Sequence, residues 1–185
     1  LNPATLAGAG PAGTPDWRSL PMAGDLPGLA LAAARALGQP AVDLALGGPG
    51  LPGYLSDWVP VSVTTDATID TAKASLATAL GKARATPAFA LDLMTRDAAL
   101  QGLTPPQIAL GEVLVSGSVV TLAPTAFHYD AARLPEVEAR ALAARLAHVA
   151  GEMARLPGDT PLAEVSALTE AERALIGRWY TGGAR

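Results

Sequence analysis

The longest helical pattern in the chain lies near its C-terminal end, and it restricts the possible folds more than any other feature. Apolar residues recur there at intervals of three and four, at Leu142, Leu146, Val149, Met153 and Leu156. This spacing places them on one face of an α-helix. We expect the helix to run from about Ala132 or Pro135 to Leu156, because Pro157 and Gly158 end it. Its apolar face must be buried against a second layer of structure.

Three further segments predict helices. Residues 28–37 are strong helix formers, and Gly38 ends the run. Apolar residues at helical spacing predict a second helix from Ile69 to about Ala83. A shorter helix is expected over Ala88–Ala99, carrying Phe89, Leu93 and Met94.

Strand patterns separate these helices. Val42–Leu46 alternates between core and surface residue types, and Tyr54–Val63 is a second strand that Pro60 restricts to a sheet edge or a bulge. Gln107–Val115 and Ser118–Tyr129 are expected to form a hairpin joined at residues 116–117. The element order predicts an α/β fold, a mixed sheet with packed helices.

The first 27 residues differ in composition from the rest. They contain five prolines, which exclude a long helix or a central strand. We interpret them as an irregular arm, anchored by Trp17. The predicted organisation is therefore an arm (residues 1–27), a folded lobe (28–157) and an exit segment (158–185).

Composition excludes several classes of function. The net charge is −4 and no basic cluster occurs, which is not typical of a nucleic-acid-binding protein. The chain has no cysteine, so disulfides, thiolate metal sites and a cysteine nucleophile are excluded. No apolar run is long enough to cross a membrane, and residue 1 does not begin a signal peptide. A cytoplasmic location is expected.

The sequence offers few candidates for chemistry. His148 is expected on the polar side of the long helix, solvated and close to Glu152. His128 and Asp130, two residues apart on a strand, could face the same side and form a weak candidate polar pair. A general base still needs a nucleophile or substrate, and a strand-end histidine that is satisfied by backbone or water is the simpler interpretation. We assign no catalytic residue, cofactor or metal site.

The exit segment carries a more specific signal. Thr169 and Glu172 form a capping box, in which a hydroxyl and a carboxylate satisfy two backbone amides at a helix start. Ala171, Leu175 and Trp179 follow at four-residue spacing on one helical face. We expect Leu168, Leu175 and Trp179 to form an interface with a neighbouring domain.

The string from Thr160 to Tyr180 resembles the segment that joins a condensation domain to an adenylation domain in nonribosomal peptide synthetases. The matching positions are Pro161-Leu162, Val165, Leu168-Thr169, Glu172-Arg173 and Trp179. Leu55–Val63, with Trp58 at the aromatic position, and Thr86-Pro87-Ala88-Phe89 resemble internal motifs of the same family. The resemblance covers roughly residues 28–180. It implies one C-terminal lobe of the chloramphenicol acetyltransferase-like fold.

The family's catalytic signature, His-His-x-x-x-Asp-Gly, belongs to the N-terminal lobe and is absent from this sequence. The resemblance therefore implies a truncated, non-catalytic scaffold or interaction module. Its expected partners are an adenylation domain and a carrier domain of a peptide synthetase, with no nucleic acid and no membrane. Two alternatives stay open at this point. The chain could be half of a split acyltransferase whose histidine-containing lobe is on another chain, or an unrelated α/β binding domain.

Overall fold

The structure is a computed structural model that describes residues 2–86, 88–97 and 104–182. Its centre is a six-stranded mixed sheet with the order β1-β6-β5-β4-β2-β3. The strands are β1 (Trp17–Pro21), β2 (Ala41–Gly47), β3 (Trp58–Thr64), β4 (Ile108–Leu110), β5 (Val120–Leu122) and β6 (Ala126–Asp130). β4 pairs in parallel with both β2 and β5, and the other three pairs are antiparallel. The predicted mixed α/β fold is confirmed.

Five helices accompany the sheet within the described residues. They are α1 (Leu26–Leu37), α2 (Ile69–Ala85), α3 (Leu91–Arg96), α4 (Glu136–Arg155) and α5 (Glu170–Gly182). A single 3₁₀ turn, Leu162–Glu164, lies between α4 and α5. The predicted positions of α1, α2 and α4 are confirmed to within a few residues. α3 is shorter than expected, and the predicted helical positions 98 and 99 lie outside the described residues.

Helix α1 occupies the middle of the helical layer. It contacts α4 and α2 on either side and the strands β2, β3 and β5 below. Eight of its residues are buried, which agrees with its almost uncharged sequence. Asp25 caps its start by accepting from the Gly28 amide at 2.6 Å, and Gly38 ends it in the left-handed region at φ 68°. The apolar helix α1 therefore lies between the amphipathic helices α2 and α4 and contacts both of them.

The predicted hairpin between Gln107–Val115 and Ser118–Tyr129 is wrong. β4 and β5 run parallel, with Ile108 opposite Val120 and Leu110 opposite Leu122. The second segment instead folds back on itself, because a turn at residues 123–125 separates β5 from the antiparallel β6. The residues between β4 and β5 therefore form a loop that runs from the end of β4 back to the opposite end of the sheet, where both strands begin.

The first 27 residues are more ordered than the predicted irregular arm. Residues 2–6 lie between the first residues of β2 and the residue before β4, where the two strands are not yet paired. The Ala4 amide donates to the Asp43 carbonyl at 2.9 Å, and the Gln107 amide donates to the Ala4 carbonyl at 2.9 Å. Trp17–Pro21 then forms the edge strand β1 beside β6. Trp17 is half-buried. Proline suits both sheet edges, because Pro21 ends β1 and Pro60 lies in the opposite edge strand, β3, as its sequence predicted.

Candidate interaction site

The exit segment is fixed to the lobe by backbone hydrogen bonds near the start of α2. The amides of Ile69 and Asp70 donate to the carbonyls of Thr160 and Gly158 at 3.0 and 2.9 Å. The Leu162 amide donates to the Ala67 carbonyl at 2.9 Å, and the Leu162 side chain is fully buried. Residues 158–165 therefore belong to the folded lobe and are not a free linker.

Arg35 strengthens this attachment. Its Nε donates to the Val165 carbonyl and its Nη2 to the Ala163 carbonyl, both at 2.8 Å. Two charge-assisted hydrogen bonds from one guanidinium fix both position and direction. Arg35 is the single charged residue of α1, and this isolation was a sequence signal for a specific contact that sequence reasoning left unused.

The predicted capping box at the start of α5 is confirmed. The Thr169 amide donates to Oε2 of Glu172 at 2.9 Å, and the Glu172 amide donates to Oγ1 of Thr169 at 3.3 Å. Each side chain thus satisfies the other residue's backbone amide. α5 therefore begins where the sequence places it.

One ion pair links this capping box to α4. Nε of Arg145 donates to Oε1 of Glu172 at 3.1 Å, and Nη2 of Arg145 contacts the same oxygen. The hydrogen bonds from Arg145, with further ones from Thr169, lower the pKa of Glu172 to about 2. Glu172 therefore stays ionised under all ordinary conditions, and it serves the capping box and the contact with α4 together.

Beyond this contact, α5 buries little of its surface. The predicted interface residues Leu168, Leu175 and Trp179 are 40%, 46% and 76% exposed. A 13-residue helix is marginal in water when it is not packed against other structure. The sequence therefore provides a capped helix with an apolar stripe that this lobe leaves mostly uncovered. The interface role of these residues stays a prediction.

The predicted polar pair does not form a hydrogen-bonded unit. His128 is half-buried and lies opposite Ser19 and Thr121 in the sheet. Asp130 is 2% exposed, and its Oδ1 accepts from the amides of Asp16 and Ala132 at 2.8 and 3.1 Å. The described residues include no hydrogen bond between the two side chains. Asp130 thus binds the residue before β1 and a residue just after β6.

His148 is less solvated than the sequence suggested. Its residue is half-buried, and its Nε2 atom is buried without a hydrogen-bond partner among the described residues. No group of three or more histidine, aspartate or glutamate side chains in the described ranges could hold a metal ion. None of the helices in those ranges is long and apolar enough to cross a membrane.

An apolar groove at one end of the sheet has no counterpart in the sequence predictions. Its volume is about 610 Å³. The side chains that line it include Leu51, Leu55, Leu91, Val113 and Leu114. Its floor is near Trp58, which is buried and packs edge-on against Phe89 with ring centroids 5.5 Å apart. These residues come from three separate loops or elements, so no local pattern could reveal that they meet.

Comparison with known proteins identifies the fold. No family model matches the sequence, and no curated protein shows significant similarity to it. The starter condensation domain of rhizomide synthetase RzmA, solved as a point mutant in complex with C8-CoA, matches with a TM-score of 0.66 and 14% identity over 90% of this chain and 51% of that one. The chain has the fold of one half of a condensation domain.

Two other structures support this condensation-domain-like lobe. The first condensation domain of the calcium-dependent antibiotic synthetase, in complex with a substrate analogue, has a TM-score of 0.63 and 14% identity, covering 91% of this chain and 51% of that one. The X-domain in complex with OxyB from teicoplanin biosynthesis has a TM-score of 0.62 and 17% identity, covering 92% and 53%. The chain spans about half the length of each of these three structures.

Proposed function

We propose that this condensation-domain-like lobe is an interaction module of a nonribosomal peptide synthetase, which by itself does not catalyse condensation. In this proposal the exit segment braces an adjoining adenylation domain, and the lobe supports a carrier domain nearby. The observation that carries the proposal is the contrast within the exit segment. Residues 158–165 are hydrogen-bonded into the lobe, whereas the apolar stripe of α5 is exposed.

Helix α5 is the docking element in this proposal. Its first turn is fixed by the capping box and by Arg145, so its direction from the lobe is set before any partner binds. Burial of its exposed apolar side chains in a second domain would stabilise the contact by about 25 cal/mol per Å² of apolar surface. A pre-oriented helix also loses less entropy on docking than a free linker.

The proposed role relies on contacts and requires no catalytic residue from this lobe. The two histidines, His128 and His148, are not adjacent in sequence. The X-domain in complex with OxyB shows that a protein with a similar fold binds another protein. An interaction role is therefore compatible with this architecture.

The direct experiment compares the adenylation domain with and without the lobe. We expect an adenylation domain to follow residue 185 in the native polypeptide, and deleting residues 1–157 should lower its soluble yield and its melting temperature. Unchanged yield and melting temperature would refute the bracing role. The full polypeptide with Val137→Ser, which changes an 80% exposed residue of α4, is the control.

A second candidate function is favoured by one observation, the half-length match to condensation domains. The lobe could complete an acyl-transfer site whose histidine signature is on a separate chain. Co-purification of such a chain, together with acyl transfer by the pair only, would select this function. The third alternative, an unrelated α/β binding domain, is not supported because the fold matches a condensation-domain lobe.

A further inference from the structure

The exit segment is firmly attached to the lobe only as far as Ala167. Val165 is fully buried, and Arg35 binds the carbonyls of Ala163 and Val165. Ala167 still packs against the hydrophobic core, but none of the described residues after it does so. Leu168, the next residue, is 40% exposed. The chain therefore leaves the surface of the lobe just before α5 begins.

Helix α5 touches the lobe at its first turn. The described hydrogen bonds between this helix and the lobe both run from Arg145 on α4 to Oε1 of Glu172. The two side chains are 37% and 28% exposed, so water and salt can reach the pair. The other residues of α5 up to position 179 are exposed. The direction in which α5 leaves the lobe therefore depends strongly on one ion pair.

The two carboxylate oxygens of Glu172 have different partners. Oε2 accepts from the amide and the hydroxyl of Thr169 at 2.9 and 3.0 Å, which completes the capping box. Oε1 binds Arg145. Loss of the contact with Arg145 therefore leaves the capping box in place. Helix α5 can separate from α4 and still keep its capped first turn.

The backbone before the capping box is free to turn. Residues 166–168 belong to no helix or strand, and within the described structure their amides have no backbone acceptor. The hydroxyl of Ser166 donates to the Leu168 carbonyl at 3.3 Å, which is a contact inside the segment itself. Because α5 is about 20 Å long, a small rotation at these residues moves its far end by many ångströms.

A partly exposed ion pair favours the bound arrangement only about fivefold. This preference makes one direction of α5 predominant and leaves about one molecule in six released. We propose that the Arg145–Glu172 pair is an electrostatic latch. When the pair is formed, α5 keeps one direction from the lobe, and when it is broken, α5 turns about residues 166–168. The latch thus controls where the domain after α5 lies, and it rests on the proposed function for the identity of that domain.

Distance measurements on the full chain test the latch directly. Because the chain contains no cysteine, spin labels can be attached at Val137→Cys on α4 and Ala174→Cys on α5, both at exposed positions. Electron–electron resonance should show one main distance at 0.1 M salt and a broad second component. The share of that component should rise about threefold at 1 M salt, where the screening length falls to about 3 Å. Labels at Val137→Cys and Ser75→Cys, both within the lobe, should show no change.

Two substitutions should break the latch by different routes. Glu172→Gln keeps a side-chain oxygen for the capping box and removes the charge, whereas Arg145→Met removes the cation. Both variants should show the broad component already at 0.1 M salt. Arg140→Met, which removes an exposed pair with Glu136 on the same helix, is the control and should behave as the wild type does.

A single distance in the wild-type chain that salt leaves unchanged would overturn the proposal. So would an equally broad distribution in the wild type and in both latch variants, since the pair would then hold nothing in place. The Val137–Ser75 label pair shows whether each variant keeps the fold of the lobe. No adenylation domain takes part in these measurements, so failure here is distinguishable from failure of the bracing role.

Discussion

The Asp70 carboxylate fills the space beside Gly158 that a side chain at residue 158 would occupy. The Asp70 amide donates to the Gly158 carbonyl at 2.9 Å, and a Cβ atom on Gly158 would overlap the carboxylate of Asp70. This contact lies where the chain leaves α4 and begins the exit segment. The exit segment is therefore attached through backbone hydrogen bonds, beginning at a glycine that the sequence marks only as a helix terminator.

Gly158→Ala should destabilise the lobe by only about 0.5 kcal/mol, because the exposed Asp70 carboxylate can rotate away from the new methyl group. Urea denaturation followed by circular dichroism measures this change. Gly151→Ala is the matched control, because a Cβ there meets nothing within 4 Å and lies in the interior of α4. It should stabilise the lobe by about 0.5–1 kcal/mol. Equal effects of the two substitutions would contradict the account.

Arg145→Met should release α5 without unfolding the lobe. The variant removes the contact that joins Glu172 to α4 but leaves the capping box in place. We expect amide exchange in residues 170–179 to accelerate about fivefold, corresponding to about 1 kcal/mol for a partly exposed ion pair. Arg140→Met breaks an exposed pair with Glu136 on the same helix and should leave α5 exchange unchanged. A large fall in global stability for Arg145→Met would instead show that Arg145 supports the core.

The lowered pKa of Glu172 predicts an unusual resistance of α5 to acid. An unperturbed glutamate has a pKa near 4.5, and Arg145 and Thr169 lower that of Glu172 to about 2. The stabilisation is therefore complete above about pH 4.5 and is lost as the pH falls toward 2. NMR of the Glu172 side chain should show an acid midpoint near the lower value. In the Arg145→Met variant the midpoint should move upward toward the ordinary value, and a midpoint that stays low would contradict the assigned cause.

Asp130→Ala should cost about 1–3 kcal/mol of stability, because the two hydrogen bonds that the Asp16 and Ala132 amides donate to the buried Asp130 carboxylate are lost. His128→Ala should cost less, since His128 is only half-buried and shares no hydrogen bond with Asp130. Thermal denaturation of both variants and of the double variant tests this assignment. If the two residues worked as a unit, the double variant would cost clearly less than the sum of the single ones.

Local sequence patterns predicted the helices, because a helix makes its backbone hydrogen bonds within one segment and buries one face at a regular spacing. α1, α2, α4 and the α5 capping box could be predicted for this reason. The parallel pairing of β4 with β5 could not, because three-residue strands carry no period and Ser116-Gly117 satisfies hairpin chemistry equally well. The strand β1 was missed because the prolines at 15 and 21 mask a short edge strand.

The helix of the exit segment could be predicted from the sequence, but the attachment of the segment to the lobe could not. Leu168, Leu175 and Trp179 follow from spacing, whereas the partners of Arg35 and Arg145 lie 130 and 27 residues away in sequence. The groove is still less accessible from sequence, because Leu55, Leu91 and Val113 meet only through the tertiary fold. Long-range contacts of this kind leave no trace in one sequence.

The most direct test measures the melting temperature of the adenylation domain that the proposed function places after residue 185. The wild-type chain is compared with a variant carrying Leu168→Ser, Leu175→Ser and Trp179→Ser, and Val137→Ser is the control. We predict that the triple variant lowers the melting temperature of the adenylation domain by about 2–4 °C, while that of the lobe itself is unchanged. An unchanged melting temperature, or a native polypeptide with no adenylation domain after residue 185, would contradict the account.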